Sequence, residues 1–345
     1  MNPLPTLLDL TRDELVAAAA EHGVSKSAAE RLFREVHREG GTGFGKVRGL
    51  EGRYVIDPLE VVTRRTSADG STDKLLYRLG DGELIETVLM RYEADAHRRR
   101  RRTVCVSTQA GCAMGCTFCA TGQQGFRRHL EAGEIVAQVV AMARIARAEE
   151  AQVTNVVFMG MGEPFANYDR TMKAIAILND GRGLQIGSRH ITVSTVGLVP
   201  EILRFAREPL ATHLAVSLHA ADDATRAAIL PVNRRYPLAD LLAACRQYSA
   251  LTGRKVFYEY VLLAGTNDSP DQARRLGELL AGTDGHVNLI PVNPTAEGPW
   301  RRPPEAGSDA FQAVLRDHGV PSTVRVEKGI DIAAGCGQLR ARALP

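Results

Sequence analysis

Strand-like apolar runs alternate with helical patterns through most of this chain. The predicted strands cover residues 103–108, 155–161, 190–196, 213–219, 255–263 and 286–293. The predicted helices between them include residues 134–147, 171–178, 238–251 and 272–280. Repeated βα units imply a parallel sheet covered by helices. The pattern therefore predicts an α/β fold, an incomplete (β/α)6 barrel, in which functional side chains gather at the carboxyl ends of the strands.

A different pattern precedes the barrel. Residues 12–40 show helical spacing with a break at His22 and Gly23. Residues 74–79 and 84–90 flank a Gly-Asp-Gly turn, which is typical of a β-hairpin. A last helix is expected near 310–317 and a last strand near 323–328. These patterns predict an N-terminal helical domain at 1–53, a β-hairpin linker region at 54–97, and the barrel with a C-terminal tail at 98–345.

Composition excludes several classes of protein. The chain has 345 residues, of which 44% are hydrophobic, and its formal net charge is +3. Six cysteines in a chain of this length do not suggest a disulfide scaffold. The N-terminus lacks the features of a signal peptide, and no apolar run approaches the roughly 18 residues that span a bilayer. We expect a cytoplasmic protein without membrane association. The small net charge leaves a nucleic-acid partner open.

Three cysteines lie close together after the first predicted barrel strand. Cys112, Cys116 and Cys119 have the spacing Cys-x3-Cys-x2-Cys, with no fourth cysteine nearby. A cubane iron–sulfur cluster usually takes four thiolates, so three ligands leave one iron open to bind a substrate and pass it an electron. The alternatives are inert cysteines or a zinc site with Cys105 or Cys336 as fourth ligand, although a second cysteine pair of the usual zinc type is missing.

Small and polar residues end several other predicted strands. The motif Met-Gly-Met-Gly-Glu-Pro ends the second strand and contains Gly162 and Glu163, whose carboxylate could bind a cation. Further polar candidates for the same mouth end the third, fourth and sixth strands; they are Ser194, Ser217 with Leu218 and His219, and Asn293. A turn or a helix cap is the plain alternative for each of these positions.

The other cysteines and one glutamate need separate treatment. A lone cysteine is usually a small buried hydrophobe, and Cys245 fits that interpretation because apolar residues surround it at helical spacing. Cys105 could likewise be a small buried hydrophobe. Cys336 lies between glycines near the C-terminus, a context that suits a mobile nucleophile. Glu86, on an alternating strand, would by pattern alone be an outward-facing carboxylate.

The motifs in combination resemble one family over nearly the whole chain, from about residue 11 to residue 339. They are CVSTQAGC at 105–112, GQQGFRR at 122–128, GMGEP at 160–164, SLH at 217–219, NLIPVNP at 288–294 and AGCGQL at 334–339. Cys-x3-Cys-x2-Cys on the first loop of a βα barrel is typical of the radical S-adenosylmethionine superfamily. The full set resembles the RlmN/Cfr family of radical RNA adenine methyltransferases.

The resemblance implies the cofactors and the roles of several residues. A [4Fe-4S] cluster on Cys112, Cys116 and Cys119 would bind S-adenosylmethionine, with contacts from Gly162, Glu163 and the other strand-end residues. The family moves a methyl group first to the tail cysteine, here Cys336, and from there to the adenine. The other cysteine, here Cys105, then releases the product by forming a disulfide. Glu86 matches the family's general base, whereas the pattern alone favours an outward-facing carboxylate.

The resemblance also implies the substrate and the partners. The RlmN branch methylates C2 of an adenine in the peptidyl-transferase centre of 23S ribosomal RNA, and adenine in the anticodon arm of some tRNAs. An external one-electron reductant such as flavodoxin and a monomeric state are expected. Arginines 98–102 and the pair Arg127 and Arg128 suit phosphate contact or a solvated face. Rivals are C8 methylation, as in the Cfr branch, and a non-catalytic zinc-stabilised RNA-binding protein.

Overall fold

The computed structural model describes residues 4–45, 47–94, 99–295, 298–326 and 328–340. The N-terminal unit contains the predicted pair of helices, α1 (Arg12–Ala20) and α2 (Lys26–His37). Thr11 caps α1 in a capping box with Glu14, and Ser25 caps α2. Because side-chain oxygens at these positions satisfy the open amides of a first helical turn, each helix begins at the residue after its cap. Gly23, at φ +71°, makes the predicted break between them.

Three antiparallel strands follow. They are β1 (Glu60–Thr66), β2 (Thr72–Arg78) and β3 (Leu84–Tyr92). The predicted hairpin is the β2–β3 pair, in which Arg78 lies opposite Leu84. β1 was not separately predicted, since its residues are almost all exposed and carry no clear alternation. We call these three strands the extension.

The barrel strands continue the same sheet. They are β4 (Arg101–Cys105), β7 (Asn155–Phe158), β8 (Ile191–Thr195), β9 (His213–Ser217), β10 (Val256–Leu262), β11 (Gly285–Pro291) and the short β12 (Ser322–Val324). Two further strands, β5 (Gln109–Gly111) and β6 (Phe126–His129), form a separate antiparallel pair. The ten-stranded order is β1-β2-β3-β4-β7-β8-β9-β10-β11-β12, and every pair from β4 to β12 is parallel. The linear order confirms an incomplete barrel.

The predicted barrel helices are present and cover the sheet. The barrel contains α3 (Ala120–Gln123), α4 (Ala132–Ala148), α5 (Tyr168–Asn179), α6 (Val199–Phe205), α7 (Asp223–Ile229), α8 (Leu238–Thr252), α9 (Pro270–Leu280) and α10 (Glu305–Asp317). α4 is the most deeply buried of them; Ile135, Val136 and Val139 are fully enclosed. Burying each such side chain contributes about 1.5–3 kcal/mol.

Some predicted strands are shorter than their apolar runs. The first run, 103–108, forms a strand only to Cys105. Beyond it, the amide of Gly160 donates to the carbonyl oxygen of Val106 at 3.0 Å, and a Cβ at Gly160 would meet that oxygen at 2.6 Å. The run near 323–328 ends as β12 at Val324, and Val326 is 83% exposed. Within the described part of the chain, no helix has the length and apolar character to cross a bilayer.

Candidate active site

The cysteine motif forms the loop between the paired strands β5 and β6. Gly111, at φ +72°, begins the loop where its backbone lies against Gly125. A Cβ at Gly111 would overlap the carbonyl oxygen of Gly125, which closes the loop by accepting the amide of Cys112 at 2.9 Å. Glycine is therefore required here for both space and backbone angle. The closed hairpin holds the three cysteines at the mouth of the barrel.

The three loop cysteines are largely withdrawn from solvent. Cys112 and Cys116 are buried, and Cys119 is half-buried. Burial raises the pKa of the Cys112 thiol to about 12 and that of Cys116 well above its ordinary value, and the charges of the neighbouring thiols raise both further. Such thiols become thiolates only when a positive centre compensates them. Burial raises the pKa of the core cysteine Cys245 to about 12 as well, so the indication of a metal centre comes from three cysteines in one loop and not from these shifts.

The arrangement of these donors differs from that of a zinc site. Among the residues that the structure describes, no three His, Cys, Asp or Glu side chains come together as ligands for a single metal ion. Zinc draws four donors to 2.0–2.3 Å from one point. The thiolates of a cubane cluster bind separate irons, and so they lie farther apart. Both centres would use the loop cysteines, and the iron and zinc content of the purified protein distinguishes between them.

Glu163 offers a buried negative charge beside the cysteine loop. Its Oε2 accepts the amide of Val196 at 2.8 Å, and its Oε1 accepts the amide of Phe165 at 3.0 Å. Burial raises the pKa of this carboxyl group to about 7, although the two amides oppose the shift. No lysine or arginine in the described ranges forms an ion pair with it. A buried carboxylate without a cationic partner could bind a cationic ligand.

Gly162 precedes Glu163 and brings backbone close to β5. It has φ +102°, and a Cβ at this position would meet the side chain of Gln109 at 2.6 Å. Gln109 in turn accepts the amide of Glu163 at 2.8 Å. The close approach at Gly162 therefore fixes the backbone of Glu163 against β5. This contact favours a specific site over a plain turn that only ends the strand.

The other strand-end candidates lie along the same edge of the barrel. Ser194 and Ser217 are half-buried on the neighbouring strands β8 and β9, and Leu218 directly follows β9. His219 has φ +59°, rare for a residue with a side chain, and its Nδ1 accepts the amide of Val261 at 2.9 Å. Its ring meets that of Phe118 in the cysteine loop edge-on, at 4.8 Å between centroids. The ring contact between His219 and Phe118 joins the end of β9 to the cysteine loop.

Arg226 on α7 was not predicted as part of the site. Its side chain is fully buried and donates to the carbonyl oxygens of Val196 at 2.8 Å, Ser217 at 3.0 Å and Leu218 at 3.0 Å, and to the amide oxygen of Asn233 at 2.8 Å. Burial lowers the pKa of the guanidinium to about 10. The side chain therefore fastens the ends of β8 and β9, where the candidate ligand-binding residues lie. One arginine inside a short helix carries no sequence signal for this role.

We expect Arg226→Met to destabilise the protein by about 3 kcal/mol, because several buried carbonyl groups would lose their donor. The exposed Arg274→Met, which breaks only surface ion pairs with Asp271 and Glu278, should cost less than about 1 kcal/mol. Urea unfolding of both variants, followed by circular dichroism, measures the difference. Equal losses in the two variants would show that Arg226 does not hold the strand ends.

The C-terminal tail, residues 329–340, crosses the mouth of the barrel and carries Cys336, which is exposed. The hydrogen bonds that fasten it to the barrel include Ala120 N to Gly337 O at 2.8 Å, Thr121 Oγ1 to Leu339 O at 2.6 Å, Asn293 Nδ2 to Cys336 O at 3.2 Å, and Gln338 Nε2 to Pro294 O at 3.0 Å. Asn293 is itself buried, and its Oδ1 accepts no hydrogen bond from the described residues. Asn293 thus contacts the tail, and its amide oxygen could accept a hydrogen bond from a ligand.

Cys105 and Cys336 line one cleft together with Cys119 of the loop. Cys105 ends β4 and is buried, which raises the pKa of its thiol to about 12, and the nearby charge of Cys336 adds to the shift. Arg325 Nη1 lies 3.8 Å from Cys336 Sγ. The sequence alone could not show that cysteines 231 positions apart meet. Cys245, in contrast, is buried in α8, as predicted.

Glu86 on β3 is buried, so the interpretation as an outward carboxylate is wrong. Its Oε1 lies 2.8 Å from Lys74 Nζ, and its Oε2 accepts the amide of Arg340 at 2.8 Å. Both faces of β3 are covered, because the barrel and the tail pack against the extension. Pattern alone failed here, since alternation predicts exposure only when one face of a strand meets water.

Comparison with known proteins decides the family. The profile of the radical SAM superfamily matches residues 106–276. The Dual-specificity RNA methyltransferase RlmN 1 of Myxococcus xanthus is 49% identical, over 97% of this chain and 94% of the relative. A probable dual-specificity RNA methyltransferase RlmN of Geobacillus thermodenitrificans is 44% identical, over 99% of this chain and 94% of the relative. The chain belongs to the RlmN family.

The structural comparison agrees. The crystal structure of a radical SAM methyltransferase from Sphaerobacter thermophilus superposes with a TM-score of 0.94 at 48% identity, covering 99% of this chain and 100% of that one. Membership in the RlmN family makes the chain a radical SAM methyltransferase. The superfamily implies S-adenosylmethionine and an iron–sulfur cluster, and the buried thiols and Glu163 fit that pair.

The arginines that precede the barrel of this RlmN-family chain do not form one uniform face. Arg98 lies outside the described residues. Arg102 is buried and pairs with Glu93 at 2.8 Å, whereas Arg101 is exposed and stacks over Tyr92. Arg128 pairs with Asp81 and Glu134, and Arg127 remains exposed beside the cysteine loop. Only part of the run is therefore placed for contact with phosphate.

Proposed function

We propose that this chain methylates C2 of an adenine in the peptidyl-transferase centre of 23S ribosomal RNA, and of an adenine in the anticodon arm of tRNA. The observation that carries the proposal is the single cleft shared by Cys105, Cys336 and the loop cysteine Cys119. A simple hydrogen-abstracting enzyme needs no such pair. Two cysteines beside a cluster loop are what a covalent methyl relay requires.

Cys112, Cys116 and Cys119 would hold a [4Fe-4S] cluster. Gly162 and Glu163 would receive the amine end of S-adenosylmethionine, and further contacts would come from the strand-end residues Ser194, Ser217, Leu218, His219 and Asn293. Bound together, the two cofactors supply a methyl group and one-electron chemistry that acts on carbon. An external reductant such as flavodoxin would provide the electron. The chain holds these parts in fixed positions, because buried amides and Arg226 fasten the strand ends.

Cys336 would carry the methyl group and deliver its carbon to the adenine. Adenine C2 is an electron-poor carbon and a weak nucleophile, so that direct displacement would be slow. Attachment through Cys336 divides this difficult step into easier ones. The Cys105 thiolate would then attack Cys336 Sγ, so that an S–S bond forms as the bond from that sulfur to the transferred carbon breaks. The electron pair of the broken bond would leave with the carbon and be delocalised into the adenine ring, and protonation of that carbon would give the methyl group. The shared cleft supports this order of events.

Glu86 would take the proton from C2 of the adduct. Its burial next to the tail supports such a role more than the exposed position that the pattern suggested. RNA would contact the exposed arginines and the N-terminal helical unit by its phosphates. A monomer, a cytoplasmic location and the domain boundaries after 53 and 97 stay predictions.

Product analysis tests the proposed position. The anaerobically purified, reduced enzyme is incubated with S-adenosylmethionine and either a 23S RNA fragment or tRNA, and the digested nucleosides are analysed by mass spectrometry. We expect 2-methyladenosine from both RNAs and about four irons per chain. Formation of 8-methyladenosine would show that the enzyme methylates C8 of the adenine and not C2. A colourless protein that contains one zinc and forms no product would contradict the proposal that this chain is a radical methyltransferase.

A further inference from the structure

The tail is held on two sides, and the second side is the extension. The carboxylate of Asp331 accepts the amide of Ala68 in the β1–β2 turn at 2.9 Å. Gly329, at φ +68°, lies against Thr72, where a Cβ would meet the methyl carbon at 2.7 Å. The tail therefore rests between the barrel mouth and the extension. A feature that grips it on the extension side also decides where Cys336 lies.

Lys74 on β2 is the centre of this grip. Its ammonium group donates to Ala333 O at 3.1 Å and lies 2.8 Å from Glu86 Oε1. Lys74 pairs with Val88 and Glu86 pairs with Leu76, so the two charged side chains are diagonal neighbours on one face of the sheet. Ala333 has φ +53°, which turns the tail at the point where Lys74 holds it.

Glu86 contacts the same tail at its other end. Its second oxygen accepts the amide of Arg340, seven residues beyond Ala333. Lys74 and Glu86 together thus fix both ends of the segment that contains Cys336. Their side chains are only 11% and 6% exposed, so hydrogen bonds of this pair are charge-assisted and shielded from water. Both side chains that make these contacts belong to the extension.

The contacts also occupy the carboxylate. Oε1 faces the ammonium of Lys74 and Oε2 faces the amide of Arg340. With the tail docked, neither oxygen is open to a proton on a substrate carbon. The amide of Arg340 belongs to the backbone of the tail, and it can leave only if that part of the tail moves.

We propose that Lys74 is a positioning residue, which holds the tail on the extension beside Glu86 while Cys336 faces the cluster loop; when the tail moves, the Arg340 amide leaves and Glu86 Oε2 becomes free. The inference rests on the proposed function, because it assumes that Cys336 and Glu86 act in sequence. It adds to that function an order in which Cys336 and Glu86 act. Methyl loading of Cys336 belongs to the docked tail, and proton removal by Glu86 belongs to the displaced tail.

The test compares Lys74→Met with Lys74→Arg, and uses Arg78→Gln as the matched control. Arg78 lies on the same strand, but it is exposed and pairs only with Glu60. Hydrogen exchange of the protein without added substrate is measured for the peptide that covers residues 333–340. We expect Lys74→Met to speed this exchange about ten- to a hundredfold, Lys74→Arg to restore much of the protection, and Arg78→Gln to change nothing.

A second readout separates the two steps in the reconstituted enzyme. Mass spectrometry follows methylation of Cys336 without RNA, and RNA methylation is then followed from enzyme that is already methylated. Lys74→Met should slow loading of Cys336 much more than transfer from the loaded protein, whereas a general loss of folding would lower both. If Lys74→Met does not fold, Lys74→Gln, which removes the charge but keeps a polar side chain, gives the same comparison.

The outcomes distinguish this inference from the proposed function. Unchanged exchange in Lys74→Met and Lys74→Gln would overturn the positioning role, even with wild-type methylation intact. Equal slowing of both steps would overturn the proposed order. A wild-type enzyme that never methylates Cys336 would instead refute the proposed relay, and the exchange experiment would still decide whether Lys74 holds the tail.

Discussion

A Cys336→Ala enzyme is expected to bind its cluster normally and to form no methyladenosine. Cys336 lies on the tail, outside the loop of Cys112, Cys116 and Cys119, so its loss leaves that donor set intact. Of the two other cysteines that line this cleft, Cys105 is buried at the end of β4 and Cys119 belongs to the proposed cluster loop, so neither replaces the exposed Cys336 as methyl acceptor. Loss of a covalent nucleophile lowers turnover on the order of 10⁴-fold or more. Iron content and nucleoside analysis measure the two halves of this expectation.

Cys105→Ala provides the informative comparison. That variant keeps the methyl acceptor and loses only the thiol that would release the product, so protein crosslinked to RNA should accumulate and appear on a denaturing gel. Cys336→Ala should give no such band. Wild-type amounts of 2-methyladenosine from Cys336→Ala would refute the methyl relay.

Replacing one cysteine of the loop should have an equally large effect by a different route. Cys116→Ala leaves two thiols where a cubane needs at least three, so iron should fall from about four per chain to less than about one. Methylation of both Cys336 and RNA should disappear together. The visible absorbance of the anaerobically purified protein and an iron assay measure the loss.

Cys245→Ala is the control for this experiment. Cys245 is as buried as Cys116, but it lies on α8 and belongs to the apolar core. Its truncation should cost a modest amount of stability, about 1–2 kcal/mol, and should leave iron and activity unchanged. If Cys116→Ala retained a full cluster, the assignment of the loop would be wrong.

The sequence predicted most of the barrel because a buried parallel strand and an amphipathic helix each leave a clear local pattern. All six predicted runs contain strands of the sheet, and α4, α5, α8 and α9 lie where helices were expected. The sequence-based predictions were wrong at the ends of strands and at the edge of the sheet. The strand β1 carries little apolar signal, and the first run lost its last residues where Gly160 approaches Val106.

The candidate site was predictable where its residues are adjacent in the chain. Cys112, Cys116 and Cys119 share one short loop, so spacing alone indicated a cluster. Glu86 was harder. Its strand alternates, and only the tail packed over it explains why a charged side chain is buried there.

By itself, then, the sequence determined the class of fold, the cluster loop and the polar strand ends, because each depends on neighbours within a few residues. The tertiary structure decided which distant groups meet. It brought Cys105 to Cys336, placed Arg226 under the ends of β8 and β9, and joined Lys74 and Glu86 to the tail. These groups are far apart in the chain, and only the closing of the sheet and the path of the tail bring them to one cleft or into hydrogen-bonding contact.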